Sequence, residues 1–571
     1  MTSKRSPHDR HGERLWLWIV SVALALVVVR LGYWQIIRHE ELKAQAEAQY
    51  HRTITSAGNR GTIWTADGYP LVINEQRYRL YAQPDRITDN PQTVASQLCV
   101  ALPQLQAHCD EITQKLAESN SRWKYLYNDL SEPEKATLSA LQQPGIGFEP
   151  FAVRAYPQAS MAAQLVGFVG KNENGEDEGY FGIEGALENE LRGRTDAKTV
   201  MTDALGFQLS PEDVRLTSLS GRDVILTIRR DIQLLAETQL AYGMEKYGAK
   251  SGEIIIMDPN TGDILALANA PSFDPKAYRT SPPETFINRS LNDVYEPGST
   301  FKILTVAAGL NEGVITPDTP CTTCSGPRTI AGSTIRTWND VYQPNITITQ
   351  ALEKSDNTAM IFVAERVGAE RLTEYLHKFG IGEPIGIELQ GDQKTPFPSK
   401  WGPVELATIS FGQGISTTSL QMVRAVATIA RGGQMITPRI IKATRYQQIE
   451  QPTSVATGEQ VVSPETAATM RTMLIAAAQH GEAQWIYSKK FRAAGKTGTS
   501  QVPEKGGYNP DKTIASFIGF SPPEHPKFVL MVKLVEPQSS IWAAETAAPL
   551  WFRTAEQLHL LLNIPFDIPQ P

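Results

Sequence analysis

Hydrophobic and polar positions change rhythm along this chain, and each change predicts an element. The first long apolar run spans residues 15–29, meets Arg30 and continues through residues 31–37. Together, residues 15–37 exceed the roughly 20 residues a spanning helix needs, provided the Arg30 side chain reaches toward an interface. Trp16, Trp18, Tyr33 and Trp34 flank the two ends, as interfacial aromatics do. Lys4, Arg5, Arg10 and Arg14 precede the run and predict a cytoplasmic N-terminus. A cleaved signal peptide would need a small-x-small site after the apolar core, where Arg30, Leu31, Gly32 and Tyr33 stand instead. The expectation is an uncleaved anchor with residues 38–571 outside the cytoplasm.

Beyond the anchor, residues 40–49 are polar helix formers and read as a stalk helix. Residues 59–68 hold a short strand between turn signals, and residues 91–145 read as mainly helical. Glycines then break the pattern at Gly167, Gly170, Gly179, Gly182 and Gly185, and this N-terminal region ends near Ser220 and Gly221. From Arg222 the texture tightens. Residues 224–228 form a strand, residues 231–247 a helix capped by Gly248, and residues 253–258 and 263–268 a hairpin around residues 259–262. Residues 513–520 and 528–534 are two further strands, and a helix over about residues 544–562 closes the chain. Strands at both ends of a region whose middle is helical predict an α+β domain. Its antiparallel sheet joins the two ends, with helices flanking it.

Composition narrows the function. With 571 residues the chain is long enough for more than one domain. A net charge of −7 gives no reason to expect a nucleic-acid partner. Four cysteines (Cys99, Cys109, Cys321 and Cys324) are too few for a disulfide scaffold.

Three short motifs carry the candidate chemistry: Ser299-Thr300-Phe301-Lys302, Ser355-Asp356-Asn357 and Lys496-Thr497-Gly498. S-x-x-K also occurs from Ser121 to Lys124 and S-x-N from Ser290 to Asn292, so neither pattern alone marks a site. Order and setting discriminate. Ser299 opens a predicted helix, and a spacing of three puts Lys302 on its face. A serine hydroxyl is a weak nucleophile until a base takes its proton. Lys302 can be that base if burial or a neighbouring cation, for which Lys496 is the candidate, lowers its pKa. Ser355, at the end of a helical stretch, can relay a proton toward a leaving group, and Asn357 can hold Lys302 and a substrate amide. Lys496, Thr497, Gly498 and Thr499 lie on a predicted strand. There Gly498 gives clearance to a ligand, Lys496 and Thr497 can bind a carboxylate, and the backbone N–H groups of Ser299 and Thr499 would form an oxyanion hole.

The chain resembles the class B penicillin-binding proteins, the monofunctional D,D-transpeptidases of peptidoglycan synthesis. The resemblance extends over nearly all residues after 14. It rests on Arg60-Gly61, Asp67-Gly68, Gly182-Ile183-Glu184, the hairpin between Gly252 and Pro275, the segment from Tyr295 to Lys302, the segment from Ser410 to Ile415, and Ala548-Pro549. It implies a cytoplasmic tail (1–14), a transmembrane anchor (15–37), an elongated mixed pedestal or dimerisation-type domain (38–220) and a penicillin-binding, β-lactamase-like transpeptidase domain (221–571). It further implies that Ser299 attacks the penultimate D-alanine carbonyl of a stem peptide and passes the acyl group to a neighbouring stem, and that β-lactams block Ser299. No cofactor or metal is implied. A single-pass protein of the bacterial plasma membrane is expected, with a polytopic glycosyltransferase beside residues 15–37 and a division role favoured over elongation by the compact length.

Rivals are separable. A class A β-lactamase deacylates through a glutamate-x-x-x-asparagine loop, and no asparagine lies between Asn357 and Asn509. A bifunctional synthase would carry a glycosyltransferase signature; residues 176–181 come nearest and diverge after two positions. Nine histidines without H-E-x-x-H give no metallohydrolase. Cys321 and Cys324 can bind zinc only with a second ligand pair, so a local disulfide is favoured, and Cys99 and Cys109 can pair similarly. A D,D-carboxypeptidase, or a non-catalytic wall-synthesis scaffold or β-lactam sensor, is the alternative of the same fold.

Overall fold

The five-stranded sheet in residues 221–571 assembles from segments far apart in sequence, and its central strand is apolar on both faces. This is seen in a computed structural model of the chain, which describes residues 7–118, 121–201, 220–504 and 507–568. It is an α+β protein whose described residues form two compact units.

The first unit draws on residues up to Asn59 and on Gly193–Ser220. In it the helix Pro7–Gly32 runs through one π-helical turn, Tyr33–Ile37, and the stalk helix is His39–Tyr50. Arg14–Ile37, 24 residues with a mean hydropathy of 2.3, is long and apolar enough to cross a bilayer. His51–Ala57 pairs antiparallel with Thr195–Met201.

The second unit combines Arg60–Arg192 with Gly221–Pro571. One of its sheets runs through β1 (Ile63–Trp64), β2 (Pro70–Ala82), β3 (Lys124–Leu130), β4 (Ile146–Ala155) and β5 (Asp223–Leu226). β2 takes β3 and β4 as partners, β1 lies between β2 and β5, and the sheet continues through Ile441–Tyr446 and Ile449–Pro452. The expectation of a mainly helical 91–145 needs correction. Helices Pro91–Ala101, Cys109–Ala117 and Glu132–Ser139 are present, but β3 interrupts them. Its buried residues, Leu126 and Leu130, sit an even number apart, the strand period. A disulfide joins Cys99 to Cys109.

Arg60 and Glu184, singled out in sequence 124 positions apart, meet here. Arg60 Nε donates to Glu184 Oε2 at 2.6 Å and Arg154 Nε to Glu184 Oε1 at 2.7 Å. Arg60 also pairs with Glu188 at 2.6 Å, and Arg154 donates to the Gly61 carbonyl at 2.7 Å. Glu184 is fully buried, and both of its carboxylate oxygens are engaged by these two guanidinium groups.

The second sheet holds the site. α1 (Arg230–Tyr247) leads into β6 (Ser251–Met257) and β7 (Ile264–Ala270). α2 (Lys302–Asn311), α3 (Ile348–Glu353), α4 (Asn357–Val367), α5 (Ser419–Ala430) and α6 (Pro464–His480) follow. Then come β8 (Ala494–Glu504), β9 (Gly507–Ser521), β10 (Phe528–Val535) and α7 (Ala547–Leu561). The strand order is β7-β6-β10-β9-β8, antiparallel throughout, so early and late segments of the region 221–571 meet at the β6–β10 pair. β10 shows why its sequence is nearly all apolar. Phe528, Leu530, Val532 and Leu534 face the cluster built with α1 and α7, while Val529 and Met531 face the larger helical cluster. Lys533, on that second face, is buried and paired with the equally buried Glu253 at 2.6 Å. The α1 helix ends where expected, with Gly248 at φ 62.

Candidate active site

Ser299 lies on a 3-10 turn, Gly298–Phe301, that feeds α2 at Lys302. Gly298 adopts φ 56, and an added Cβ there would stand 3.2 Å from the Thr499 carbonyl, so the turn and β8 can approach only with glycine at this point. The Gly298 N–H donates to the Gly412 carbonyl at 3.1 Å. An added Cβ on Gly412 would collide with the Gly298 carbonyl, which explains that glycine, and its neighbours Phe411 and Gln413 line the same cavity. The cavity measures about 240 Å³ and is bounded by Ser299, Ser355, Asn357, Thr499 and Glu482 among others.

The second motif corrects its expected setting. Ser355 does follow a helix, α3, but Asp356 caps the next one. Its carboxylate accepts from the Ala359 N–H at 3.0 Å, so Asn357 begins α4. Ser355 itself has φ 57, a left-handed conformation uncommon for a residue with a side chain. This kink turns its hydroxyl toward Ser299, to which it donates at 2.9 Å.

Lys302 is fully buried, and its ammonium donates to the Ser355 carbonyl at 2.6 Å, the Ser355 hydroxyl at 3.2 Å and Asn357 Oδ1 at 2.8 Å. The other end of Asn357 donates to the Arg336 carbonyl at 2.9 Å, which sets the amide's orientation. A hydrogen-bonded path therefore runs from Ser299 through Ser355 to Lys302. The sequence reading put Lys302 on Ser299 and gave Ser355 to the leaving group; the geometry puts the Ser355 hydroxyl between them. Burial, and then the charge of Lys496, lower the Lys302 pKa from 10.5 to about 7.

The third motif lies on β8, an edge strand whose outer row of backbone groups is not used by the sheet. Lys496 is almost fully buried, and burial lowers its pKa against the opposing pull of Glu482. Its ammonium donates to Thr497 Oγ1 at 2.9 Å and to the Thr497 carbonyl at 3.3 Å. A Cβ on Gly498 would meet Ser516 Oγ at 2.7 Å, Thr300 Cγ2 at 2.8 Å and the Pro297 carbonyl at 3.0 Å. The clearance expected of Gly498 for a ligand is thus also a packing need of the serine turn. Thr499 borders the cavity opposite Ser299, and its hydroxyl accepts from the Ala543 N–H at 3.1 Å.

The two decoy motifs fall elsewhere. Ser290 is buried and donates to Asn269 Oδ1 at 2.9 Å, while Ser121 precedes β3. Among the cavity residues without a sequence signal are Glu482, and Trp338 with Trp542, whose rings stand edge to face at 5.3 Å. Each follows a helix end or lies in a loop, where no periodicity reports on the side chain. Cys321 and Cys324 are joined by a disulfide and fully buried.

Residues 252–553 match the penicillin binding protein transpeptidase domain, and residues 55–226 match the penicillin-binding protein dimerisation domain. Stage V sporulation protein D of Bacillus subtilis is 30% identical over 547 residues, covering 94% of this chain and 83% of that protein. Peptidoglycan D,D-transpeptidase FtsI of Escherichia coli is 28% identical over 546 residues, covering 93% of this chain and 88% of that protein. The crystal structure of penicillin binding protein 2X from Streptococcus thermophilus superposes with a TM-score of 0.78 at 22% identity, over 89% of this chain and 80% of that one. At that identity it speaks to the fold alone.

Proposed function

This chain belongs to the class B penicillin-binding proteins, and from that membership we propose a serine-type peptidoglycan D,D-transpeptidase whose site is the cavity between α2, α4 and β8. One observation carries the reading: Ser299, Ser355, Lys302 and Asn357 form a single hydrogen-bonded chain beside Lys496 and Thr499.

The chemistry follows from that chain. Neutral Lys302 keeps two protons for the Ser355 carbonyl and Asn357 and turns its lone pair to the Ser355 hydroxyl. Ser355 passes its proton to Lys302 while taking the Ser299 proton, and Ser299 Oγ attacks the penultimate D-alanine carbonyl of a stem peptide. The developing oxyanion is held by the Ser299 and Thr499 backbone N–H groups. The bond to the terminal D-alanine breaks, and its nitrogen takes the proton back from Lys302 through Ser355. An amine of a second stem then attacks the ester, loses its proton by the same route and restores the Ser299 hydroxyl. Lys496 and Thr497, with Gly498 giving clearance, bind the terminal carboxylate. β-Lactams enter by the first step and stop at the ester.

Residues 1–14 form the cytoplasmic tail, 15–37 a single-pass plasma-membrane anchor, 38–220 the pedestal, and 221–571 the extracytoplasmic transpeptidase domain. A division role is favoured over elongation, with a polytopic glycosyltransferase packing beside residues 15–37, and a pull-down that survives replacement of residues 15–37 by an unrelated spanning helix would contradict that partner surface. The activity is tested with donor and acceptor stem peptides and mass detection. The cross-linked dimer with release of D-alanine is expected; trimmed monomer alone would make the enzyme a D,D-carboxypeptidase.

A further inference from the structure

Glu482 stands where an anionic substrate group is meant to go. It follows α6 at Gly481, where an added Cβ would collide with the Ala477 carbonyl and stand 3.0 Å from the Glu353 carbonyl, so the chain turns tightly here and carries Glu482 to the cavity wall. Its Oε2 accepts the Thr497 hydroxyl proton at 2.6 Å and lies 4.0 Å from Lys496 Nζ. The carboxylate is only about one-fifth exposed, so water screens it incompletely.

Two consequences follow for the subsite formed by Lys496 and Thr497. A threonine hydroxyl has one proton to donate. With that proton committed to Glu482, Thr497 offers an incoming carboxylate lone pairs rather than a donor. Lys496, in turn, already shares its charge with Glu482 and donates to Thr497 Oγ1. Asp356 is the other carboxylate near the lysine pair, and its oxygen is engaged by the Ala359 N–H and the Thr358 hydroxyl at 2.6 Å. Glu482 is therefore the acidic group that a docking carboxylate meets directly.

We propose that Glu482 is a specificity-determining residue that occupies the carboxylate subsite from within, so that a substrate carboxylate must displace it from Thr497 before Ser299 can be acylated. The inference rests on the transpeptidase reading of this cavity. Small ligands that rely on one carboxylate are penalised, whereas a ligand without that charge is not. The penalty is electrostatic and local; Glu482 also supports the charge of Lys302, but that effect is common to both compounds and cancels in their rate ratio.

The test compares benzylpenicillin with its methyl ester, which lacks the negative charge, by intact-protein mass spectrometry of the full chain in detergent. Second-order acylation rates are measured for wild type, Glu482→Gln and Glu482→Ala. The carboxylate-to-ester rate ratio should rise about tenfold in both variants, the scale of one close like-charge contact at a partly exposed site. A structural defect would slow both compounds together and leave the ratio unmoved. An unchanged or falling ratio in both variants, with wild-type Ser299 still acylated, overturns the role of Glu482 alone. Failure of benzylpenicillin to acylate wild-type Ser299 overturns the transpeptidase reading and this inference with it.

Discussion

Lys302 must be uncharged to accept a proton, so acylation of Ser299 should climb with pH along a limb centred near 7. Burial removes water from the Lys302 ammonium, and Lys496 adds like-charge repulsion; Glu482 and Asp356 oppose them only in part. Moving from 10.5 to about 7 amounts to about 5 kcal/mol against the charged form, at about 1.4 kcal/mol per tenfold. At pH 7 about half of such lysines are neutral, against roughly one in 3,000 for an ordinary lysine, a gain of about three powers of ten in competent base. The sign is set by the base being a cation below its pKa: activity is lost as pH falls through about 7. Lys496→Ala removes the second cause of the shift, so the midpoint should move to higher pH whatever happens to the amplitude. Lys302→Arg, a permanent cation, should lower the rate by about 10³-fold. The assay is second-order labelling by a fluorescent penicillin from about pH 5.5 to about pH 9.5. At the alkaline end a descending limb should come in below the ordinary lysine pKa, because burial also lowers Lys496. A rate level across this range, or a rising limb unmoved by Lys496→Ala, would refute the reasoning.

The same burial makes Lys302 a stability cost. Its folded pKa lies below its unfolded one, so the unfolded chain binds the extra proton between about 7 and 10.5, and stability attributable to this group rises with pH across that window. Thermal melts of Lys302→Met should therefore gain on wild type most near pH 7 and least near pH 10; a difference independent of pH would contradict it. Gly498→Ala should cost about 1–3 kcal/mol in a melt and at least about tenfold in labelling, because the new methyl meets Thr300 and Pro297 of the serine turn; wild-type labelling would show that the turn can yield. Arg60→Ala leaves Glu184 to Arg154 alone and should cost about 3 kcal/mol by chemical denaturation; a loss under about 0.5 kcal/mol would mean that the network is solvated.

Much of this was legible because the chemistry and the periodicity coincide. The runs of β10 and β6 are apolar on both faces and announce a covered sheet, and Gly248 and the hairpin turn at 259–262 punctuate it. Ser299 and Lys302 share a helix start, so their spacing carried their geometry. Ser355 did not: its role depends on a left-handed backbone that no propensity for serine would suggest. β3 was hidden because its polar face mimics a helix surface over seven residues. Glu482 was invisible because its place is fixed by a turn after α6 and by Thr497, fifteen positions later. Arg60 and Glu184 were visible only as family motifs; their mutual burial needed the fold.

The most direct measurement is the site of acylation itself. The full chain is incubated with benzylpenicillin, digested and mapped by mass spectrometry, beside Ser299→Ala. One penicilloyl ester on Ser299, absent from Ser299→Ala, is the predicted result. An adduct that persists in Ser299→Ala, or that maps to Ser355 or to another residue, would contradict Ser299 as the nucleophile.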